Sequence, residues 1–431
     1  PYVAEAFMNS SQNRNVPQSN PDSVLNCCIR DLETAEANAL SASAFTDWRR
    51  VGYMTKDAIQ ALLADIYLWR ASVNHSSADY EACIEYCDKV FASKKNQHVF
   101  SGEMVEKDFY LEPGITMFNE LFVKQNAEES IFELQYNGND YYNSSAKRNE
   151  GNFALCQYYA HYANNAAPYL YASSLFANQG TVYTTITGAQ GARDWRGLNF
   201  TYNSPVTVGS YDGLEIRKYV SEGNDTRGRY DAITSTTYGE KNRAYDVEYQ
   251  QNYIVYRLTD VMLMKAEALT ALAADDNDIQ LRQAFNLVLE VNSRSKTIES
   301  SGDSIHWVAF QGSITSMEEL VMNERLRELA FEGKRWYDLM RYNYRHLDGV
   351  DYTTTLAEQN EKGIDPVANY NNNTWMKNWA VRKLTNGDAV AAKMSTEPKL
   401  YMPIPQSDLN VCPVLKQNPA YSTGDDYSKN Y

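Results

Sequence analysis

Apolar side chains recur every three or four positions in several stretches of the chain, a spacing typical of amphipathic helices. The first predicted helix begins at Asn20 and Pro21, because an N-cap residue followed by proline suits the first turn of a helix. Further helices are predicted at residues 55–71 and 76–93, and again at residues 256–273 and 281–294. The pattern therefore predicts a mostly α-helical protein.

The predicted helices form two pairs of similar design, at residues 20–95 and 253–296. Small residues lie close together in each pair, Ala61 with Ala64 and Ala266 with Ala268, and they would let antiparallel helices pack tightly. Such helix pairs are the unit of tetratricopeptide repeats. We therefore predict a tetratricopeptide-like scaffold, with residues 1–431 forming a single domain.

Other parts of the chain lack this helical period. Residues 129–136, ESIFELQY, alternate between apolar and polar side chains and predict a short strand. The regions 129–250 and 350–400 are otherwise rich in Asn, Gly, Ser and Tyr without a regular pattern. Long irregular segments inside a compact protein often carry function. We predict long loops and a few short strands in both regions.

The segment NERLRELAFEGKRWYDLMRY, residues 323–342, predicts a single helix, which we place at residues 317–345. One stripe of this helix is mainly apolar and consists of Met322, Leu326, Leu329, Gly333, Trp336, Met340 and Tyr344. The opposite face consists of Glu324, Arg327, Glu328, Phe331, Arg335 and Asp338. A glycine on the apolar stripe suggests that another helix approaches closely at Gly333.

The charges of this helix allow three interpretations: a solvated face, a buried network of paired charges, or catalysis. Each acid has an arginine or lysine within reach, and no nucleophile stands beside the acids, so catalysis is the least favoured. We favour a structural network in which Glu324, Arg327, Glu328 and Arg335 are paired inside the protein.

Composition and charge narrow the possible ligands. The chain holds 33 Tyr and 7 Trp, and such rings with polar tips suit surfaces that bind carbohydrate, peptide or protein. The net charge is −15 and no basic stripe is visible, which argues against nucleic acid and anionic membranes. No apolar run approaches the roughly 20 residues of a membrane-spanning helix.

Motifs for catalysis or metal binding do not stand out in the sequence. The six cysteines and five histidines form neither CxxC nor HExxH, and no Ser/His/Asp arrangement or phosphate-binding loop is apparent. We therefore predict that the protein is not an enzyme, and we identify no cofactor or metal site; an ion bound by loop carboxylates such as Asp140 would leave no readable motif and stays open.

Several motifs, in the same order along the chain, resemble those of the SusD/RagB family of outer-membrane lipoproteins that capture nutrients, mostly glycans, in Bacteroidetes-type bacteria. The segment at residues 323–342 resembles the hallmark helix of that family. The other matching motifs are TKDAIQALLADIYLW, ESIFELQY, RDWR, YRLTDVMLMKAEA and LYMPIPQSDLNVCPVLKQNPAY. Asp408 and Ala420 depart from the last motif, where the family has Glu and Gly.

The resemblance implies a cell-surface glycan-binding protein that delivers its ligand to a TonB-dependent, SusC-like transporter. It also implies an extracellular, lipid-anchored location on the outer membrane. The chain opens PYVAEAF, without an initiator methionine, signal peptide or anchor cysteine. We therefore expect an N-terminal portion, with the anchor, to be missing from this chain.

The resemblance implies loops that bind ligand by aromatic stacking and by hydrogen bonds, and it makes regions 129–250 and 350–400 ligand-facing. The candidate ligand-binding residues are Asp140, Tyr141, Tyr142, Asn143, Tyr158, Tyr159 and Tyr162, with Trp375 and Trp379 as a weaker set. The candidate structural residues are Glu324, Arg327, Glu328, Gly333, Arg335 and Trp336.

Two alternatives to glycan capture remain open. The protein could capture peptides, as some members of the family do, or it could be an interaction scaffold without a ligand of its own. The sequence does not identify the glycan, its linkage or its length.

Overall fold

The computed structural model describes residues 2–3, 8, 15–97, 108–136, 158–159, 170–172, 194–201, 206–208, 211–213, 216–219, 251–296, 305–309, 313–346 and 400–421. Backbone contacts divide the chain into two compact units, and the single domain expected from the sequence stays a prediction. The larger unit comprises Thr34–Leu68 and Ser77–Arg335, and the smaller comprises Pro1–Glu33, Trp69–Ser76 and Trp336–Tyr431.

Helices dominate the described residues, which confirms the prediction of a mostly α-helical fold. The longer helices are α1 (Pro21–Asn38), α3 (Lys56–Asn74), α4 (Ser77–Gln97), α7 (Leu258–Leu272), α8 (Ile279–Arg294), α9 (Ile314–Glu328) and α10 (Arg335–Arg345). The shorter helices are α2 (Arg49–Gly52), α5 (Gly114–Asn119), α6 (Trp195–Asn199) and α11 (Gln406–Val411). The described residues also include a π-helix at Glu120–Lys124. Short 3-10 helices lie at Ala42–Ala44, Trp307–Ala309 and Pro419–Tyr421.

Side-chain caps fix the starts of several helices. The side chain of Asp278 accepts a hydrogen bond from the Gln280 amide at 2.9 Å and begins α8. Ser313 accepts from the Ser316 amide at 3.1 Å and begins α9. Each cap satisfies one of the amide groups that a helix start leaves without a partner.

Two small antiparallel sheets are present in the described residues. Strand β1 (Ser130–Leu134) pairs with β4 (Tyr253–Arg257), and β2 (Val206–Val208) pairs with β3 (Tyr211–Gly213). The strand predicted at residues 129–136 is therefore confirmed, and its partner runs directly into α7.

Helix α7 lies at the centre of the larger unit and contacts α4, α8 and α9. Its small residues Ala266 and Ala268 are fully buried, as are Leu281 and Val288 of α8. The second predicted helix pair is therefore present as α7 and α8.

Helices α3 and α4 form the first pair. The Asp57 carboxylate near the start of α3 accepts hydrogen bonds from Ser93 at 2.9 Å and Gln97 at 2.7 Å near the end of α4. The rings of Tyr67 and Tyr86 stack with centroids 5.7 Å apart. These contacts show that α3 and α4 run antiparallel, as expected for a helix pair.

The prediction of one helix at residues 317–345, the hallmark segment, is wrong. Helix α9 ends at Glu328, α10 begins at Arg335, and a turn joins them. Phe331 and Gly333 have φ angles of 67° and 74° in the left-handed region, which no α-helix can contain. The helical period of the apolar residues continues across this turn, so the pattern alone conceals it.

Gly333 lies in a turn and not, as predicted, at a close contact between two helices. No helix approaches it among the described neighbours; a Cβ atom at Gly333 would instead lie 2.8 Å from the hydroxyl oxygen of Tyr253 on β4. That hydroxyl donates a hydrogen bond to the Glu332 carbonyl at 2.9 Å. Gly333 therefore serves a tight turn beneath a tyrosine, where both the positive φ and the lack of a side chain are needed.

The smaller unit holds the C-terminal motif in a defined conformation. The Gln417 side chain donates to the carbonyl of Ile404 and accepts from its amide, both at 2.9 Å. The Asn418 side chain donates to the Tyr401 carbonyl at 3.2 Å. The motif LYMPIPQSDLNVCPVLKQNPAY is thus closed on itself by two amide side chains near its end.

Candidate functional site

Three glutamates of the hallmark segment, Glu324, Glu328 and Glu332, are buried and lie four residues apart. Glu324 accepts from Arg196 at 2.6 Å, from Arg327 at 2.6 Å and from the Asn292 amide at 3.0 Å. The expected pairing of Glu324 with Arg327 is confirmed. Its pairing with Arg196 joins α9 to the start of α6.

Glu328 does not pair with Arg335 as the sequence analysis expected. Its carboxylate accepts from Arg257 at 2.6 Å, from Arg196 at 3.0 Å and from Arg294. Arg335 instead donates to the Met322 carbonyl at 3.0 Å. The chain turns between Glu328 and Arg335, so these two residues do not share the helix face that a continuous helix would give them.

Glu332 completes the set from the turn itself. Its carboxylate accepts from Lys218 at 2.6 Å and from two nitrogens of Arg257 at 2.8 and 3.0 Å. We call the whole assembly the buried ion network, and its members are Glu129, Asp194, Arg196, Lys218, Arg257, Arg294, Glu324, Arg327, Glu328 and Glu332. It therefore holds five carboxylates and five cations.

Three carboxylates of this network, those of Glu324, Glu328 and Glu332, have pKa values below the ordinary value of a glutamate. Burial raises the pKa of Glu324, but Arg196 and Arg327 outweigh that effect and hold the pKa at about 2. Burial likewise opposes ionisation of Glu328, yet Arg294, Arg257 and Arg196 hold its pKa well below the ordinary value. A general acid or base needs a pKa near the working pH and access to substrate. These three buried carboxylates have neither property, which favours a structural role over an acid–base one.

Only part of the buried ion network could be predicted from the sequence. Glu324, Arg327 and Glu328 were among the predicted residues, whereas Glu332 and every partner outside the hallmark segment were not. The spacing of Glu324, Glu328 and Glu332 was a signal that could have found Glu332. Arg196 lies 128 residues from Glu324 in the sequence, and no local pattern connects the two.

Most of the predicted ligand-binding residues lie outside the described residues: Asp140, Tyr141, Tyr142, Asn143, Tyr162, Trp375 and Trp379. Tyr158 is described and is 46% exposed. Its neighbour Tyr159 is half-buried and donates its hydroxyl to the Phe331 carbonyl at 3.1 Å. Burial raises the pKa of Tyr159 to about 12. Ligand contact stays a prediction for both tyrosines, and Tyr159 also supports the turn of the hallmark segment.

Metal sites and membrane-spanning helices are both absent from the described part of the chain. No group of three or more His, Cys, Asp or Glu residues there is arranged to hold a metal ion. Within the same residues, no helix has both the length and the apolar character that a bilayer crossing requires. Trp336, predicted to be structural, is 40% exposed.

Comparison with known sequences gives one consistent family. The sequence model of the SusD family matches residues 67–421. The chain is 24% identical over 347 residues to SusD-like protein P38 of Formosa agariphila, which covers 80% of this chain and 62% of the relative. A stretch of 96 residues, 22% of this chain, is 34% identical to 17% of SusD-like protein P2 of the same organism. The chain thus spans only about three fifths of the length of P38.

Solved structures show a similar fold. A SusD superfamily protein from Parabacteroides distasonis matches with a TM-score of 0.56 and 20% identity, over 96% of this chain and 72% of that chain. One from Bacteroides vulgatus matches with a TM-score of 0.55 and 19% identity, over 95% and 68% of the two chains. With the family match over residues 67–421, these likenesses confirm the resemblance noted from the motifs, and the chain belongs to the SusD family.

Proposed function

We propose that this protein captures oligo- or polysaccharides at the cell surface, without chemically changing them, and delivers them to a partner TonB-dependent transporter. The observation that carries the proposal is the family match across residues 67–421. In this protein the hallmark acids pair with buried cations of other segments. That arrangement supports a binding protein rather than an enzyme that uses the hallmark acids in catalysis. The exposed Tyr158 supports aromatic recognition, since sugar rings present an apolar face to such side chains.

Affinity electrophoresis tests the ligand class directly. The purified protein would be run in native gels containing soluble starch, inulin, xylan, laminarin, pectin, yeast mannan or chondroitin sulfate. We expect one polymer to retard the protein selectively, and we expect no change in the size of that polymer after incubation. A polymer cut by the protein would overturn the non-enzyme assignment.

Peptide capture and a ligand-free scaffold are the outcomes that would replace glycan capture. If no polymer retards the protein, titration calorimetry with a casein hydrolysate separates them. Heat from peptide binding would identify a peptide-capturing member of the family. No heat would leave an interaction scaffold as the function.

The proposed location and partner have their own test. We expect the protein, produced from its own gene in its source bacterium, to be accessible to antibody on intact cells. We also expect it to copurify with a TonB-dependent transporter from detergent-solubilised outer membranes. Recovery only from the interior of the cell would contradict both parts of the proposal.

A further inference from the structure

An exposed group of aromatic side chains lies between α1 and α3 in the sequence, and none of its members was singled out by sequence analysis. We call residues 45–54 the aromatic turn. Trp48 and Tyr53 are each 47% exposed, although large apolar rings are usually more deeply buried. Their centroids lie 5.5 Å apart and their planes meet at 87°. Phe45 also meets Tyr53 edge-on, with ring centroids 5.6 Å apart.

The aromatic turn is held firmly to the scaffold beneath it. Val51 is buried, and the Arg50 guanidinium donates to the carbonyls of Asn126 at 3.0 Å and Ala127 at 3.2 Å. The indole of Trp48 rests against Gly52, where a Cβ atom would lie 2.7 Å from the ring. A ring fixed in this way loses little conformational entropy when a ligand stacks on it.

A polar rim adjoins the rings. The Arg49 guanidinium forms a two-pronged ion pair with the Asp47 carboxylate, at 2.8 Å between Nη2 and Oδ2 and 3.0 Å between Nε and Oδ1. The same guanidinium lies 5.4 Å from the centre of the Phe45 ring. Both charged side chains remain partly exposed, so they can donate to and accept from hydroxyl groups of a ligand.

The turn also lies beside the strand that leads into the predicted ligand-binding loop. A Cβ atom at Gly52 would lie 2.7 Å from Cγ of Gln135, the residue that follows β1. Asn139 to Asn143 follow within eight residues of Gln135 in the sequence. The aromatic turn therefore contacts the end of β1, from which the chain continues in sequence to the predicted ligand-binding residues.

We propose that Trp48 and Tyr53, with the Asp47–Arg49 pair as polar rim, form a stacking subsite for a sugar ring of the captured polysaccharide. A pyranose offers an apolar C–H face to an exposed aromatic ring and a hydroxyl rim to the adjoining ion pair. A protein partner would have to cover further surface beyond the aromatic turn, because stable interfaces bury about 800 Å² on each side. This inference rests on the proposed capture of glycans.

The experiment uses the polymer of the panel that retards the wild-type protein most strongly, over a series of polymer concentrations. Trp48→Ala and Tyr53→Ala are compared with Met54→Ala, which removes an exposed apolar side chain from the same turn but no ring. Trp48→Phe keeps a smaller ring. Thermal unfolding of every variant shows that the scaffold is intact.

We expect Trp48→Ala and Tyr53→Ala to weaken binding about three- to tenfold, Trp48→Phe to weaken it less, and Met54→Ala to leave it unchanged. Equal binding by the wild type and both alanine variants would overturn the subsite while leaving glycan capture intact. Retardation of the wild type by no polymer would overturn both proposals together. Unchanged glycan binding with lost transporter copurification in Trp48→Ala would reassign the aromatic turn to a protein contact.

Discussion

At the residue scale, Arg257 joins three buried glutamates, one beside strand β1 and two in the hallmark segment. Its guanidinium donates to Glu129 at 3.0 Å, to Glu328 at 2.6 Å and to Glu332 at 2.8 Å, and it is fully buried. Arg257→Ala would leave these carboxylates in the interior with one cation fewer. We expect the free energy of unfolding to fall by about 3–5 kcal/mol, as measured by urea denaturation.

Two further substitutions make the Arg257 experiment specific. Arg257→Lys keeps the charge but loses the planar fork, so an intermediate loss is expected. Arg30→Ala removes a partner of Asp31 from an exposed pair, and we expect it to change stability far less than Arg257→Ala does. Equal losses in Arg257→Ala and Arg30→Ala would show that the buried ion network does not organise the fold.

The ionised form of Glu112 is destabilised in the folded protein. Burial and the nearby Glu129 raise the pKa of Glu112 from 4.5 to about 7. Between these two pH values the folded state holds a proton that the unfolded state has lost, so stability declines as pH rises through about 7. Glu112→Gln replaces the carboxyl group with an amide that does not ionise, so the variant does not lose this stability as pH rises. We expect it to stabilise the protein by about 1–2 kcal/mol at pH 8, after allowing for screening by solvent.

Urea denaturation at two pH values measures the effect of Glu112→Gln. The wild type and the variant should converge at pH 4.5, the unshifted pKa, and separate at pH 8. A stability difference that is the same at both pH values would mean that the substitution acts through packing or hydrogen bonding and not through charge.

At the element scale, the turn between α9 and α10 depends on Gly333. The residue has a φ of 74°, and a Cβ atom there would lie 2.8 Å from the Tyr253 hydroxyl oxygen. Gly333→Ala is therefore expected to cost about 1–3 kcal/mol of stability from the strained backbone, besides the displacement of Tyr253. Thermal or urea unfolding of the purified variant provides the measurement.

A double-mutant cycle separates backbone strain from the steric contact at Gly333. Tyr253→Phe removes the hydroxyl that a new Cβ atom would meet, together with its hydrogen bond to the Glu332 carbonyl. Gly333→Ala should therefore cost less in the Tyr253→Phe background than in the wild type. Additive losses would assign the whole effect to the backbone.

Sequence analysis succeeded with the elements that have a strong local pattern. Helices α3, α4, α7 and α8 lie where the apolar spacing predicted them, and β1 lies within the predicted strand. It failed at residues 329–334, because the apolar stripe keeps its period on both sides of the break. A glycine near the end of a helix is a common stop signal, and at Gly333 it was interpreted as a packing residue.

At the scale of the whole molecule, the motifs predicted the family, while the buried ion network depends on contacts between distant segments and the aromatic turn depends on a local fold without a period. Arg196 meets Glu324 across 128 residues, and Trp48 lies against Gly52 and Tyr53 in a short turn without a periodic pattern. Spacing rules describe neighbours along a helix or strand, so they cannot find either arrangement. Ligand identity depends on loop shape, and it therefore stays with the proposals above.

Acid should unfold the whole molecule through its buried carboxylates. Their pairing with cations lowers the pKa of Glu324, Glu328 and Glu332 below 4.5, to about 2 for Glu324. The stability that these ion pairs contribute is complete above the pKa of the unfolded state. It is lost as pH falls through the lower pKa of the folded state. We expect the free energy of unfolding to fall steeply from pH 4.5 towards pH 2. The slope of this fall at pH 3 reports how many more protons the unfolded state binds than the folded state, and we expect Glu324→Gln to reduce that number by about one. Exposed Glu290→Gln is the control; a wild-type slope in Glu324→Gln would refute the assignment.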